Sequence, residues 1–209
     1  VEDEGRRVVF TLRPNLAFSD GTQLTAEDVV RSWRRLVDPD SPSPLASLFA
    51  NVVGVRDLLT GRSTDVADLG VVATDARTVT VALERGGGDL PAIVSGPPFA
   101  IVPPSVGRSE VQPQPGSFAS SGGYTLKAVE SDTLVLKAND RYWAGRPAIA
   151  EVRWIMDLGG RSTVDAFVAG ELDYTPISWF HAAWLAYDAA HGASLRKEAQ
   201  LSVTYYGFD

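Results

Sequence analysis

The amino-acid sequence predicts an α/β protein with mixed sheets, and three observations support this fold class. The stretch VVFTLRPNLAFSDGTQLTAEDVVRSWRRLV, residues 8–37, has the pattern of a strand, a turn and a capped helix. Two pairs of apolar runs flank residues 75–77 and 130–132 at the spacing of hairpins. Residues 161–169 and 179–190 have the apolar content and the end signals of helices.

The first strand is predicted from alternation along the chain. Val8, Phe10 and Leu12 fall on one face of a half-buried strand, because side chains two residues apart point the same way. Pro14 ends the strand, since it has no N–H to give to a neighbouring strand. The tripeptide Ser19–Gly21 then predicts a turn, in which aspartate bonds the backbone and glycine accepts a positive φ.

The helix that follows is predicted from its two ends and its apolar face. Thr25 is the N-cap, and Asp28 completes a capping box with aspartate in the place that glutamate usually takes. Apolar side chains at helical spacing place Trp33 on the buried face. Asp38 precedes Pro39, and a residue before proline is pushed out of the helical region, so the helix is expected to end there.

The remaining elements follow from similar local signals. Residues 69–73 and 78–83 form one predicted hairpin, and residues 124–129 and 133–138 form another. The other predictions are a short helix at 90–94, a strand at 151–156, strand-like runs within 195–208 and an irregular loop rich in proline and serine at 103–121.

Length and composition limit the possible functions. The chain has 209 residues, of which 44% are hydrophobic and 22% are charged, which fits one large or two small globular domains. A net charge of −7 argues against a nucleic-acid-binding protein, which needs a concentrated basic patch. The sequence has no cysteine, so disulfides and thiolate metal sites are excluded, and this composition is compatible with export. It has neither a membrane-spanning apolar run of roughly 20 residues nor a signal peptide at its start, VEDEGRR.

Several motifs resemble one known family. The run FTLRPNLAFSDGTQLTAEDVVRSWRRLVDP resembles the signature stretch of the family 5 extracellular solute-binding proteins, the peptide, dipeptide and nickel receptors of bacterial ABC importers. The hairpin strand TVTVALE, the run KANDRYWAGRPAIAEVRW and the turn GELDYTPIS also resemble segments of that family. A combined match of this length is far more specific than a short motif.

The resemblance implies a fold and a division into lobes. It implies a periplasmic-binding-protein-like fold of the large peptide-receptor class, present here incompletely. Residues 1–115 would form most of the smaller lobe and residues 116–209 part of the larger first lobe, with the second large lobe absent. The chain would cross between lobes at Gly122 and Gly123, where the family usually has G-T-G-P-Y and this sequence has SGGY.

The resemblance also implies a binding cleft and its wall. Loops that lie near the cleft in the family correspond here to positions that include Leu45, Phe49, Phe99 and Ala100. Trp179 follows a turn that opens on the cleft, and we expect it either to stack on a ligand or to pack in a core.

The function implied is that of an extracytoplasmic receptor. Such a protein closes its lobes around an oligopeptide, a dipeptide or a similar small solute and then docks on the membrane permease of an ABC importer. We expect a monomer that is anchored as a lipoprotein in the intact protein, with a leader missing from this chain. We also expect residues 1–209 alone to bind ligand weakly. Two alternatives remain: a sensory or regulatory module not coupled to transport, and a hydrolase.

Catalytic and metal motifs are weak in this sequence. His181 and His191 lack the HExxH spacing of a zinc site, and neither serine–glycine pair forms a G-x-S-x-G elbow. Gly86–Gly88 lacks the GxxxxGK[ST] context of a phosphate loop and is predicted to be a flexible turn. Glu171 and Asp173 are expected to make local contacts at their turn. We therefore expect neither an enzyme nor a metal or cofactor.

Overall fold

The computed structural model describes residues 3–106, 114–116 and 119–198 of the chain. It divides into two compact units, the first ending at Trp154 and the second starting at Ile155. The strands described are β1 (Arg7–Thr11), β2 (Val71–Asp75), β3 (Thr78–Ala82), β4 (Tyr124–Glu130), β5 (Thr133–Ala138) and β6 (Glu151–Ile155). The α-helices described are α1 (Ala26–Leu36), α2 (Val55–Leu59), α3 (Leu90–Val94), α4 (Thr163–Val168) and α5 (Trp179–Leu185).

The first unit begins with an antiparallel sheet in the order β1-β3-β2. Its register places Phe10 opposite Val79 and Val8 opposite Val81, so the apolar alternation that predicted β1 continues across the sheet. The turn between β2 and β3 is tight because the Asp75 carboxylate accepts the Arg77 N–H at 2.8 Å. The predicted first strand and the predicted hairpin are both confirmed.

Helix α1 lies against this sheet and begins with the predicted capping box. The Asp28 carboxylate accepts hydrogen bonds from the Thr25 backbone N–H at 2.9 Å and from the Thr25 hydroxyl at 3.1 Å. The other Asp28 carboxylate oxygen pairs with the Arg31 guanidinium at 3.0 Å, and the same guanidinium donates to the Val102 carbonyl. The helix therefore also fixes the segment that follows α3.

A chain of aromatic side chains forms the centre of the core. Trp33 makes edge contacts with Phe10 and Phe49, with ring centroids 5.8 and 5.6 Å apart, and Phe99 lies 5.3 Å from Phe49. The Trp33 indole N–H donates to the Phe99 carbonyl at 3.2 Å. The hydrophobic core cluster of the described residues extends from Val8 to Phe99, so the first half of the chain holds most of the buried apolar area.

The second sheet of this unit has the order β4-β5-β6 and a much smaller core. Val135 and Ala138 are its buried hydrophobic residues among those described. Side chains from the outer strands meet across β5: Lys127 pairs with Glu151 at 2.6 Å and Arg153 with Glu130 at 2.7 Å. The predicted second hairpin and the strand at 151–156 are confirmed.

The described part of the second unit, residues 155–198, contains two short α-helices. Helix α4 is capped by Ser162, whose hydroxyl accepts the Asp165 N–H at 3.3 Å, and it ends before Gly170 at φ 74°. Helix α5 stops at Leu185, so its predicted extension to residue 190 is wrong. The Asp188 carboxylate accepts the backbone N–H groups of Ala190 and His191 at 3.1 and 2.7 Å, which replaces helical bonds by a side-chain turn.

Two sequence predictions fall partly outside the described residues. The loop predicted at 103–121 is described at 103–106, 114–116 and 119–121, where it has no regular secondary structure. Of the strand-like runs predicted within 195–208, residues 195–198 are described and belong to no strand, and the rest lie outside the described part.

Candidate ligand-binding site

At the predicted crossover, hydrogen bonds from Asn139 hold the backbone of both glycines. Asn139 donates its side-chain amide to the Gly122 carbonyl and its backbone N–H to the Gly123 carbonyl, both at 2.8 Å. A Cβ at Gly123 would lie 3.3 Å from Pro147, and neither glycine has a positive φ. Glycine at Gly123 therefore avoids a tight contact with the Pro147 ring, and the unusual backbone angles that the sequence suggested are not present at either glycine.

Two further contacts connect the turn after β1 to this crossover. Ser19 donates its backbone N–H to the Ser120 carbonyl at 2.8 Å, and its hydroxyl accepts the Ser120 N–H at 3.1 Å. The Arg13 guanidinium lies 3.9 Å from the centroid of the Trp143 ring, a cation–π arrangement. Within the first unit, the two sheets are thus joined by polar contacts near one end of each.

A groove of about 830 Å³ opens beside these contacts. The Lys127 side chain in its wall is engaged by Glu151, and Asp20 accepts the Thr22 N–H at 2.9 Å. That hydrogen bond holds the pKa of the Asp20 carboxyl below its ordinary value. The groove is lined by Ser19, Asp20, Pro115, Gly116, Ala119, Thr125, Leu126, Lys127, Lys137, Ala138, Asn139, Asp140 and Arg141. Its size and polar lining suit a small polar solute.

The predicted wall residues of the first unit fall into two classes. Phe49 and Phe99 are 1% and 3% exposed and belong to the aromatic core around Trp33. Leu45, four residues before Phe49, is 47% exposed, and Ala100, the residue after Phe99, is also exposed. Short 3-10 turns at Ala46–Phe49 and Pro97–Phe99 produce this difference, because they direct the phenylalanines inward.

Trp179 lies at the start of α5 and is 84% exposed, so it is available to a ligand. Its ring makes an edge contact with Phe180 at 6.1 Å between centroids. Four more exposed aromatic side chains surround it in sequence: Tyr174, Phe180, Trp184 and Tyr187. We call these five residues the aromatic segment. The sequence reasoning identified only Trp179, although the density of aromatic residues in YTPISWFHAAWLAY was a visible signal.

A serine–histidine contact at the same place bears on the hydrolase alternative. The Ser178 hydroxyl lies 3.2 Å from the His181 ring nitrogen Nδ1, and it also accepts the His181 backbone N–H at 3.4 Å. The second of these bonds is that of an N-cap. The Asp188 carboxylate lies 2.8 Å from His191, so the two histidines have separate partners. Among the residues described, the Ser178 contact is explained by helix capping and shows no third group that orients His181.

Glu171 forms a two-pronged ion pair with Arg161. The Arg161 Nη1 and Nη2 atoms donate to Glu171 Oε1 and Oε2 at 3.0 and 2.7 Å. These hydrogen bonds hold the pKa of the Glu171 carboxyl below its ordinary value. The Glu171 side chain therefore pairs with a residue ten positions earlier in the chain, and not with the backbone of its own turn as the sequence suggested. Within the described residues, we find no cluster of three or more histidine, cysteine, aspartate or glutamate side chains that could hold a metal ion. None of the described helices is long and apolar enough to cross a membrane.

We expect acid to destabilise the second unit through these carboxylates. The folded-state pKa of Glu171 is lowered by Arg161, and that of Asp188 by the backbone N–H of His191. The native state then binds fewer protons than the unfolded chain, so this stability is present above a pH of about 4.5 and is lost as pH falls through the lowered values. Thermal unfolding followed by circular dichroism at pH 6 and pH 3 tests this.

The matched control for the acid experiment is Glu171→Gln, which keeps the shape of the side chain but cannot titrate. We expect the variant to lose less stability between the two pH values than the parent chain does. Equal losses in both proteins would show that the Arg161–Glu171 pair does not contribute to the acid response.

Comparisons with known proteins agree with the geometry. The chain matches the family model described as bacterial extracellular solute-binding proteins, family 5 Middle, over residues 1–209. It is 33% identical over 172 residues to the periplasmic oligopeptide-binding protein OppA of Escherichia coli (strain K12), covering 79% of this chain and 32% of that protein. It is 30% identical over 214 residues to the probable deoxycholate-binding periplasmic protein YgiS of the same organism, covering 99% and 39%.

A solved structure gives the same result for the fold. The periplasmic murein tripeptide binding protein MppA, in its unliganded open form, matches with a TM-score of 0.82 and 28% identity, over 90% of this chain and 38% of that one. The chain spans about a third of the length of the curated relatives that it matches. The predicted mixed helix-and-sheet fold of the peptide-receptor class is confirmed, and the chain belongs to the bacterial extracellular solute-binding proteins of family 5.

Proposed function

We propose that this chain is part of an extracytoplasmic substrate-binding protein of an ABC importer. In this proposal the intact protein closes around an oligopeptide, a dipeptide or a similar small solute and delivers it to a membrane permease. It acts as a monomer anchored as a lipoprotein, and it binds its ligand without transforming it. The observation that carries the proposal is the close structural match to an unliganded peptide receptor over nine-tenths of this chain.

The proposed lobes are residues 1–115 and 116–209, with Gly122 and Gly123 at the crossover between them. These lobes are a different division from the compact units, which separate after Trp154. The Ser19–Ser120 hydrogen bonds and the Asn139 bonds to both glycines support a defined chain path at the proposed crossover. The ligand-facing positions of the first lobe would be Leu45 and Ala100, with Phe49 and Phe99 as the rigid layer behind them.

In the second lobe the proposed contact is Trp179, with the rest of the aromatic segment as its surroundings. Exposed aromatic rings bury large areas when covered, and aromatic walls are common in ligand pockets. The sequence from Tyr174 to Tyr187 contains no lysine, arginine, aspartate or glutamate, so this surface favours the apolar parts of a ligand. The polar ends of a peptide would be bound elsewhere in the cleft.

Calorimetry on the longest polypeptide that the gene encodes tests this function. We expect tri- or tetrapeptides to bind with micromolar or tighter affinity and to reduce the radius of gyration in solution scattering, as lobes close. Residues 1–209 alone should bind at least about a hundredfold more weakly, since most of the cleft surface of a longer receptor lies outside them. A longest form that binds deoxycholate but no peptide would contradict the ligand class.

Point variants test the wall. Trp179→Ala should weaken peptide binding about tenfold, because a stacked indole contributes roughly 1–2 kcal/mol. Trp154→Ala removes another exposed tryptophan, outside the aromatic segment, and should leave the affinity unchanged. Equal effects of the two variants would remove Trp179 from the proposed wall.

A further inference from the structure

A second pocket lies on the first unit, and none of its lining residues is a proposed wall residue. Its volume is about 440 Å³, which is in the range of small-molecule pockets. It is formed at the start of α2 and the end of β3 and is lined by Gly54, Arg56, Asp57, Arg62, Glu84 and Arg85. Three arginines and two carboxylates line this pocket, so its local charge is more positive than the net charge of −7 for the chain would suggest.

One of the three arginines is already neutralised. The Arg62 Nε and Nη2 atoms lie 2.8 and 2.7 Å from the same carboxylate oxygen of Asp57. The backbone strengthens this contact, since the Arg62 N–H donates to the Asp57 carbonyl at 2.8 Å. Arg62 and Asp57 therefore form a closed pair that adds little net charge to the pocket.

The other two arginines retain unused donors. Arg56 donates only its Nε, to the Ala50 carbonyl at 3.3 Å, and its two Nη groups have no partner within the described part of the chain. Within the same described residues, the Arg85 guanidinium makes no hydrogen bond or ion pair. A guanidinium that lines a pocket with free N–H groups is suited to binding carboxylate or phosphate oxygens in a planar, two-point geometry.

The backbone that carries these arginines is held by hydrogen bonds and close packing. Asn51 accepts the Arg85 N–H at 3.2 Å and donates to the Arg85 carbonyl at 2.9 Å, and the Glu84 N–H donates to the Asn51 carbonyl at 2.9 Å. Gly54 has a φ of 85°, and it packs closely against the backbone of Asp68. A Cβ added at Gly54 would lie 2.5 Å from the Asp68 carbonyl oxygen. The arginines thus project from fixed backbone positions, which lowers the cost of ordering them around a ligand.

We propose that this pocket is a second, low-affinity binding site for a small oxyanion, a carboxylate or phosphate group of a solute. Arg56 and Arg85 supply the hydrogen bonds and the positive charge. Glu84, whose carboxylate has no partner among the described residues, lines the same pocket and repels the anion, so it sets an upper limit on affinity. This site shares no residue with the proposed wall of the peptide cleft.

Titration of the 209-residue chain with inorganic phosphate, and separately with succinate, tests the proposal. The readouts are the ¹H–¹⁵N shifts of the arginine Nε groups and of backbone amides at 51–57 and 84–86. We expect saturable millimolar binding that weakens as salt is added. Arg56→Ala and Arg85→Ala should each weaken it about tenfold, because a charge-assisted hydrogen bond is lost. Glu84→Gln should strengthen binding by removing the opposing charge.

Arg146→Ala is the matched control, since Arg146 is an exposed arginine that pairs with Asp140 outside this pocket. It should leave phosphate binding unchanged. The proposal is overturned if the parent chain shows no saturable shifts, if Arg146→Ala weakens binding as much as Arg85→Ala does, or if Glu84→Gln has no effect. Binding of an acidic peptide without binding of either small anion would also overturn it, in favour of a protein-docking surface.

Discussion

Replacing Trp33 by alanine is expected to lower the free energy of unfolding of the first unit by about 3–5 kcal/mol. The indole is 4% exposed and joins Phe10 on β1 to Phe49 beyond α1. Its removal leaves a cavity in the middle of the aromatic core and also leaves the Phe99 carbonyl without its hydrogen-bond donor. Urea denaturation followed by far-UV circular dichroism measures the loss.

Two further variants separate the causes of this effect. Trp33→Phe keeps most of the ring contacts but removes the indole N–H, so it should cost less than alanine and should remain foldable if the alanine variant does not fold. Trp179→Ala makes the same chemical change at a residue that is 84% exposed and should shift stability by at most about 0.5 kcal/mol. A loss from Trp179→Ala as large as that from Trp33→Ala would contradict the placement of the core around Trp33.

Gly54→Ala is expected to be the next most damaging substitution. Two effects combine there: a φ of 85° that alanine adopts reluctantly, and a Cβ that would lie 2.5 Å from the Asp68 carbonyl oxygen. The atoms that the new Cβ would meet belong to the backbone of Asp68 and Leu69, which cannot move aside as the end of a flexible side chain would. The measurement is again the free energy of unfolding in urea.

Gly61 is the matched control for Gly54, because it lies just beyond the other end of α2 with a φ of 71° and nothing within 4 Å of an added Cβ. Gly61→Ala should cost roughly 1–2 kcal/mol from the backbone angle alone. Gly54→Ala should cost about 1–3 kcal/mol more, from overpacking against backbone. Equal costs would mean that α2 can shift away from Asp68. The backbone beside Gly54 would then not hold Arg56 in a fixed position.

The elements predicted best were those whose signals lie within a few residues of each other. The capping box of Thr25 and Asp28, the Asp75 turn and the proline-started helix at 90–94 depend on hydrogen bonds and backbone preferences that span two to four residues. Such interactions form in the same way wherever the segment lies in the fold. The end of α5 was mispredicted because the Asp188 side chain competes for the backbone N–H groups of the next turn.

The sequence by itself determined the family, the fold class and the order of the six strands and of helices α1, α3, α4 and α5, because local patterns and a long family motif carry that information. Only the tertiary structure decided which apolar side chains are buried. Phe49 and Leu45 look alike in the sequence, yet the first contacts Trp33 and the second is exposed. It also brought Arg161 to Glu171 and grouped Arg56 with Arg85. The physical reason is that burial and charge pairing depend on residues that are distant along the chain, and their positions are fixed only when the whole chain folds.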